Sequence, residues 1–399
     1  MSILDTILEN QKVEEVSKLD AVEIINNLFS ELSDRERDVL VRRYGLNSGN
    51  KETLESIGDA HELTRERIRQ IETTSIKKLQ QLKDLKNYLN TLRKVILQLL
   101  EEHGGLMEKE YLLSLLVGYS VNGLNSKGPN EQTHKNYLNF LITKLLFDEF
   151  EEINSNKHFL ESYKLKYKDL EHLEDITEEL LEKIKEAKET HATPTLISLI
   201  TELESFKRHE EKVKADSTLD VAKFLKTELF EEDPEAVNNN KVLYSILKAA
   251  RKIEQNKFGH WGVYNSREIK PKTINDKIYL ILKNYNKPMH FAEIADAINK
   301  ISFDGKTANA ATVHNELILD KKYVLVGRGL YGLKEWGYRQ GTVADVIKEI
   351  MIEVGKPMTK EEITEKVLEK RMVKKATIIL ALMNKDKFSK KDNKYSIIE

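Results

Sequence analysis

The chain has 399 residues, with 64 Lys and Arg against 66 Asp and Glu, a formal net charge of −2, and no cysteine. The missing cysteine excludes disulfides, thiolate zinc sites and thiol nucleophiles. The balanced charge excludes a protein that coats nucleic acid as a whole, so any such contact must come from a local patch. The start, MSILDTILEN, lacks a basic n-region and carries Asp5, so no secretory signal is expected. No apolar stretch approaches the roughly 18 residues of a membrane span, so no membrane partner is expected and a cytoplasmic location is. With only 6 prolines and 17 glycines to interrupt it, a chain of this length is predicted to be mainly α and multi-domain.

Residues 1–28 read as a short amphipathic helical leader. From 29 to about 90 come short helices with clear boundary signals. Ser33 and Glu36 have the S-x-x-E form of a capping box, opening a helix through Val39 and Leu40. Gly45 stands where a left-handed stop belongs. Thr53 opens a shorter helix with Leu54 and Ile57 inward, and His61 to Leu63 form a turn. Thr64 then caps a helix whose Ile68, Ile71, Leu79 and Leu82 fall on one stripe. A short helix, a tight turn and a second amphipathic helix make a helix-turn-helix.

Residues 91–165 carry helices around VILQLL, EYLLSLL and NYLNFLITKLLF and a short β-ribbon at KHFLESYKL, and read as a winged helix. Residues 166–215 read as an acidic helical connector. Within it EHLEDITEELLE (Glu171–Glu182) holds six acids and no Lys or Arg, the composition of a solvated helical face or spacer. A further winged-helix-like segment is expected over 216–270, where VLYSILKAARKI precedes FGHWGVY. KPMHFAEI (Lys287–Ile294) then recurs as KPMTKEEI (Lys356–Ile363), 69 residues on. Each copy lies between amphipathic helices and reaches a strand-like tail, the first punctuated by Gly327 and Gly329 as a hairpin needs. The predicted fold is therefore helix-turn-helix plus repeated winged-helix modules with small β-wings, the last two at 271–338 and, degenerate, at 342–399.

The helix from Thr64 carries the most information. Arg65 and Arg67 occupy its first turn, where the helix dipole disfavours a cation by about 0.3–1 kcal/mol. At about 100° per residue, Glu66, Arg69, Gln70, Thr73 and Lys77 fall opposite Ile68. From Thr64 to Lys83 there are six basic residues and two acidic ones, a basic helix in a slightly acidic chain. Arg can grip guanine, Gln adenine, and Glu the cytosine amino group. A helix-turn-helix presents the start of its second helix to the major groove. Crowded arginines make sense opposite phosphates; on period and charge alone, a solvated surface helix laced by i,i+4 pairs is the other reading.

The strings LSDRERDVLVRRYGL, TLESIGDAHELTRERIRQIE and SIKKL, in this order over Leu28 to Leu89, resemble region 4 of sigma-70 family factors. That resemblance implies a domain that reads the −35 element of double-stranded promoter DNA and docks on the β flap of the RNA polymerase core. It implies Arg65, Glu66, Arg69 and Gln70 as base readers, with Arg67 and Lys77 on phosphate or neighbouring protein; Thr73, on the same outer face, completes the candidate DNA-binding set. His61 stands where the family commonly has an aromatic, and is read as a core or boundary substitution. Only 28 residues precede the domain and no aromatic-rich promoter-melting helix is found, so a self-sufficient sigma factor is not expected.

Residues Thr273 to Tyr338, with KPMHFAEIADAI and ATVHNELILDKKYVLVGRGLYGLKEWGY, are similar to the HARE winged-helix domain of the RNA polymerase delta subunit and other DNA-linked proteins. The resemblance implies contacts from the third helix and wing, with Lys306, Asn309, His314, Asn315 and Arg328 as candidates. DNA and polymerase both stay open as their partner. No phosphate-binding loop, dinucleotide fingerprint or H-E-x-x-H is present, and the ten histidines lack metal spacing. No enzyme activity, metal, cofactor or small-molecule substrate is therefore expected. The predicted function is a DNA-binding regulator acting at transcription initiation. The other reading is a polymerase accessory subunit that mimics region 4 without reading sequence.

Overall fold

A computed structural model describes residues 20–47, 50–120, 130–146, 148–215, 217–338, 341–370, 373–384, 386–391 and 393–398. The chain is mainly helical with small antiparallel sheets, in two units, 1–264 and 265–399. Of the expected leader, residues 1–19 lie outside the described residues; the rest enters helix α1 (Ala21–Phe29), capped by Asp20.

Helices α2 (Asp34–Tyr44), α3 (Leu54–His61) and α4 (Arg65–Gln80) form the helix-turn-helix. Ser33 and Glu36 satisfy each other's backbone N–H groups, and Gly45 ends α2 at φ 65°, a conformation that suits glycine. Helix α4 stops at Gln80, so Leu82 lies just beyond it.

The rest of the first unit repeats one pattern. Helix α5 (Leu85–Glu102), strand β1 (Leu106–Glu108), helices α6 (Lys109–Tyr119) and α7 (Glu131–Phe140), and strands β2 (Phe150–Ile153) and β3 (Ser162–Leu165) give a sheet ordered β1-β3-β2. This is helix–strand–helix–helix–hairpin, the winged-helix order. A second copy follows. Helix α8 (Glu171–Ala187) leads to His191, which bridges Trp261, then come α9 (Thr193–Glu202), α10 (Glu204–Val213), α11 (Pro234–Asn239), α12 (Lys241–Ala249) and the hairpin β4 (Ile253–Gln255)–β5 (Trp261–Val263). The segment expected as a connector thus supplies the opening helices of a module. The acids of α8 are exposed or half-buried, while Leu173, Ile176, Leu180 and Ile184 are buried on its other side, so the helix is no spacer. One apolar core runs from Ala21 to Trp261 without a break at the expected boundaries.

The second unit holds two further copies. The first is α13 (Ile274–Tyr285), β6 (Met289–His290), α14 (Phe291–Ile301), α15 (Ala310–Leu319), β7 (Tyr323–Gly327) and β8 (Leu330–Leu333). The second is α16 (Val343–Val354), β9 (Met358–Thr359), α17 (Lys360–Lys370), α18 (Lys375–Leu382), β10 (Phe388–Lys391) and β11 (Lys394–Ile397). Their sheets share one order, β6-β8-β7 and β9-β11-β10. The repeat at KPM marks the strand that closes each sheet: Met289 pairs with Tyr331 and Met358 with Tyr395.

An ion pair is buried where the first two winged copies meet. Lys241, at the start of α12, bonds Glu102 at the end of α5, with 1% and 6% of the two side chains exposed. Gln98, Thr218 and the Thr218 and Leu219 amides fill the remaining acceptor sites of the carboxylate. Burial pushes the Glu102 carboxyl up, but the bonds from Lys241, Thr218 and Gln98 outweigh it and hold the group below the ordinary carboxylate range. Its contribution is present above the unfolded value near 4.3 and lost as pH falls through the lower folded value. Lys241→Ala should cost about 3–5 kcal/mol at neutral pH, because it strands a buried charge. Urea unfolding at descending pH should show that cost shrinking as Glu102 takes up a proton.

Candidate nucleic-acid interface

The turn between α3 and α4 is built by backbone geometry. Glu62 ends α3 in the left-handed region at φ 55°, and the Leu63 amide bonds the Gly58 carbonyl at 2.9 Å. A Cβ on Gly58 would meet the Leu63 carbonyl oxygen at 2.6 Å, so only glycine lets the chain turn this closely. Thr64 then accepts from the Arg67 amide at 3.3 Å and starts α4. His61 bonds Asp38 at 2.7 Å, and Asp38 also takes Arg42 at 2.9 Å, which ties α3 to α2. His61 is a boundary residue holding the turn.

Two apolar contacts orient α4. Ile68 packs with Val39 and Ile57 in a small core flanked by Leu54, Leu63 and Ile71. Near the other end Leu79 joins the large core, and Gln80 donates to the Lys144 carbonyl at 2.7 Å. With that stripe fixed, Arg65, Glu66, Arg67, Arg69, Gln70, Thr73 and Lys77 are all exposed, as the helical period requires. Glu72, one step round, is instead drawn inward by the Tyr44 hydroxyl at 2.8 Å.

The exposed face is ordered within itself. Arg69 grips Glu66 through two hydrogen bonds, 2.8 and 2.7 Å, and Arg67 reaches Gln70 at 3.1 Å. The bond from Arg69 holds the Glu66 carboxyl below its usual range, so this pair stays charged at neutral pH. A guanidinium held in this way is steered by a carboxylate, with its remaining N–H groups free to point outward. Thr73 turns its hydroxyl back to the Arg69 carbonyl at 2.9 Å.

The behind-face of the helix-turn-helix is covered. Phe140 of α7 is fully buried, with its ring edge-on to Phe29 at 5.9 Å and Tyr44 at 4.9 Å. Asn136 donates to the Gly45 carbonyl at 3.0 Å. Nothing in the residue pattern of 131–140 signals this mating, because the partner lies about a hundred residues away.

The candidates in 271–338 are less uniform. Asn309 caps α15, accepting from the Ala311 amide at 2.8 Å. His314 is half-buried between the Phe291 and Tyr331 rings, 4.5 and 5.9 Å away. Lys306, Asn315 and Arg328 are exposed. Among the described residues no group of His, Asp and Glu is arranged to hold a metal ion, and no helix is long and apolar enough to cross a membrane.

Residues 28–81 match the family described as Sigma-70, region 4. Over 66 residues, 16% of this chain and 16% of each relative, the chain is 53% identical to the RNA polymerase sigma factors SigA of Microcystis aeruginosa and Synechocystis sp.. It is 31% identical over 87 residues, 21% of this chain and 25% of the relative, to the RNA polymerase sigma factor RpoS of Coxiella burnetii. The chain therefore covers a small part of the length of these relatives. No solved structure matches it.

Because the turn depends on Gly58, Gly58→Ala should destabilise the helix-turn-helix by about 1–3 kcal/mol, the range for steric overpacking. Hydrogen exchange should place the loss in 53–80, with the amides of 341–398 unaffected.

Proposed function

We propose that the chain is a DNA-binding regulator of transcription initiation that reads −35-like promoter duplex with the outer face of α4. The observation that carries the reading is the solvent-facing set Arg65, Glu66, Arg69 and Gln70 on a helix held from behind by Ile68 and Leu79. These are side chains with the donors and acceptors that distinguish base pairs in the major groove. Arg67, Thr73 and Lys77 flank them and meet phosphate. Similarity of 28–81 to sigma factor region 4 supports the same assignment.

RNA polymerase core is the proposed protein partner, through its β flap. The apolar rear of the helix-turn-helix is occupied by Phe140, so polymerase meets exposed surface. The HARE-like resemblance of 273–338 supports Lys306, Asn315 and Arg328 as a further DNA or polymerase contact, with Asn309 capping α15 and His314 packed from it onto Phe291. The role is non-enzymatic and the setting cytoplasmic.

Arg69→Ala and Gln70→Ala should each cost about 1–3 kcal/mol on the preferred duplex and relax sequence preference. Lys77→Ala should weaken binding about equally on every duplex and flatten the salt slope by about one. Fluorescence anisotropy on matched and scrambled duplexes separates the two. Wild-type behaviour of all three variants on both duplexes would overturn the assignment.

A further inference from the structure

The four winged copies use one scaffold and differ in what their third helix and hairpin meet. In the first copy α7 is mostly buried, with Phe140 against the helix-turn-helix. In the second copy α12 is buried along nearly its whole length, and Ser245 donates to the Leu106 carbonyl of β1. Those two helices are consumed by packing. In the third and fourth copies, α15 and α18 keep most of one face exposed.

These last two copies share a scaffold but carry different charge. From Lys370 to Lys394 there are nine Lys and Arg against two Asp and Glu. The matching stretch of the preceding copy, Ile301 to Leu330, has four against three. The difference is placed in register. Lys374 and Lys375 open α18 where Asn309 and Ala310 open α15, and Lys390 and Lys394 stand where Leu325 and Leu330 stand. Lys374, Lys375, Lys390, Lys391 and Lys394 are all exposed.

Apart from Lys390, whose ammonium lies over the Tyr395 ring at 5.5 Å, folding does not account for this placement. Lys391 and Lys394 are directly opposite in the β10–β11 ladder, and like charges so paired weaken a hairpin. Two positions along, Ser389 and Ser396 make the stabilising choice with a hydrogen bond of 2.7 Å. At α18, Lys374 occupies the cap position and makes no capping hydrogen bond, in contrast to Asn309 at α15. The neighbouring acid Glu362 is engaged by the Thr359 amide at 2.8 Å. Local rules broken twice in one module of about sixty residues point to a partner.

We propose that the third helix and wing of the C-terminal module form a second binding surface, for the sugar-phosphate backbone of duplex DNA. Charge complementarity selects the occupant: clustered lysines release counterions from phosphates. The rest of the exposed face of α18, with Ala376, Thr377 and Leu380, and Met383 just after it, offers almost no hydrogen-bonding group to a base edge. Binding here is therefore independent of sequence, unlike that of α4, and the two surfaces divide anchoring from reading.

The test uses the full chain and a random-sequence duplex, with affinity measured against salt concentration. Replacing Lys374, Lys375, Lys391 and Lys394 together by Gln should lower affinity and reduce the log–log salt slope by up to about 3.6, at roughly 0.9 per phosphate contact. A charge-matched control, Lys183→Gln with Lys185→Gln, Lys207→Gln and Lys226→Gln, replaces exposed lysines outside both surfaces and should leave the slope as in wild type. Arg69→Ala should leave the quadruple variant's loss intact, which separates this surface from the one on α4. An unchanged slope in the quadruple variant would overturn the proposal. So would a slope that is unchanged while retention on immobilised polyglutamate falls, which would assign the surface to an acidic protein.

Discussion

The orientation of one helix by Ile68 and Leu79 is the constraint on which the molecule's chemistry depends. Ile68 is fully buried in a core of three residues, and Leu79 is fully buried in the large one. Rotating α4 by a single residue, about 100°, would expose both and bury charged side chains instead. With the helix fixed at both ends, Arg65, Glu66, Arg69 and Gln70 have no course but outward. On the proposed function, the cost of cations at the helix start is offset by the duplex that the face meets; in the chain alone the Glu66–Arg69 pair keeps that face ordered.

Everything behind that helix supports it in turn. The helix-turn-helix alone is small, and its second core of Leu28, Phe29, Leu40 and Leu46 is completed by Phe140 from the first winged copy. That copy is joined to the next through Lys241 and Glu102, a pair whose desolvation offsets much of its attraction, so that losing one partner costs more than the pair contributes. The winged scaffold thus appears here in two uses: as internal masonry in the first unit, and with exposed third helices in the second.

Much of this was legible in the residues, and what was not has identifiable causes. Ser33, Thr53 and Thr64 signalled three helix starts because a short hydroxyl before a helical run satisfies orphan amides. The outward face of α4 followed from its period. The third helix and hairpin of the winged copy within 166–270 were legible at VLYSILKAARKI and FGHWGVY, but its opening half was hidden because its first strand is reduced to one bridged residue, His191, which leaves no alternation to detect. Helices α10 and α11 also intervene before its third helix, so the acids of α8 dominated the pattern and its apolar stripe passed for a spacer's. The Phe140 contact and the partner of Lys241 are long-range, and no local signal announces them. Asn309 and His314 illustrate the reverse case. Their residue types suit recognition, yet one is taken by a cap and the other lies between two rings.

The central claim is that the outer face of α4 reads base sequence in duplex DNA. Selection from a random duplex pool with the purified full chain tests it most directly, run alone and with RNA polymerase core. The account predicts an enriched motif for the chain alone, altered or lost at specific positions when Arg69 or Gln70 becomes Ala. Recovery of the pool without enrichment in both conditions, or the same motif from both variants, would contradict it.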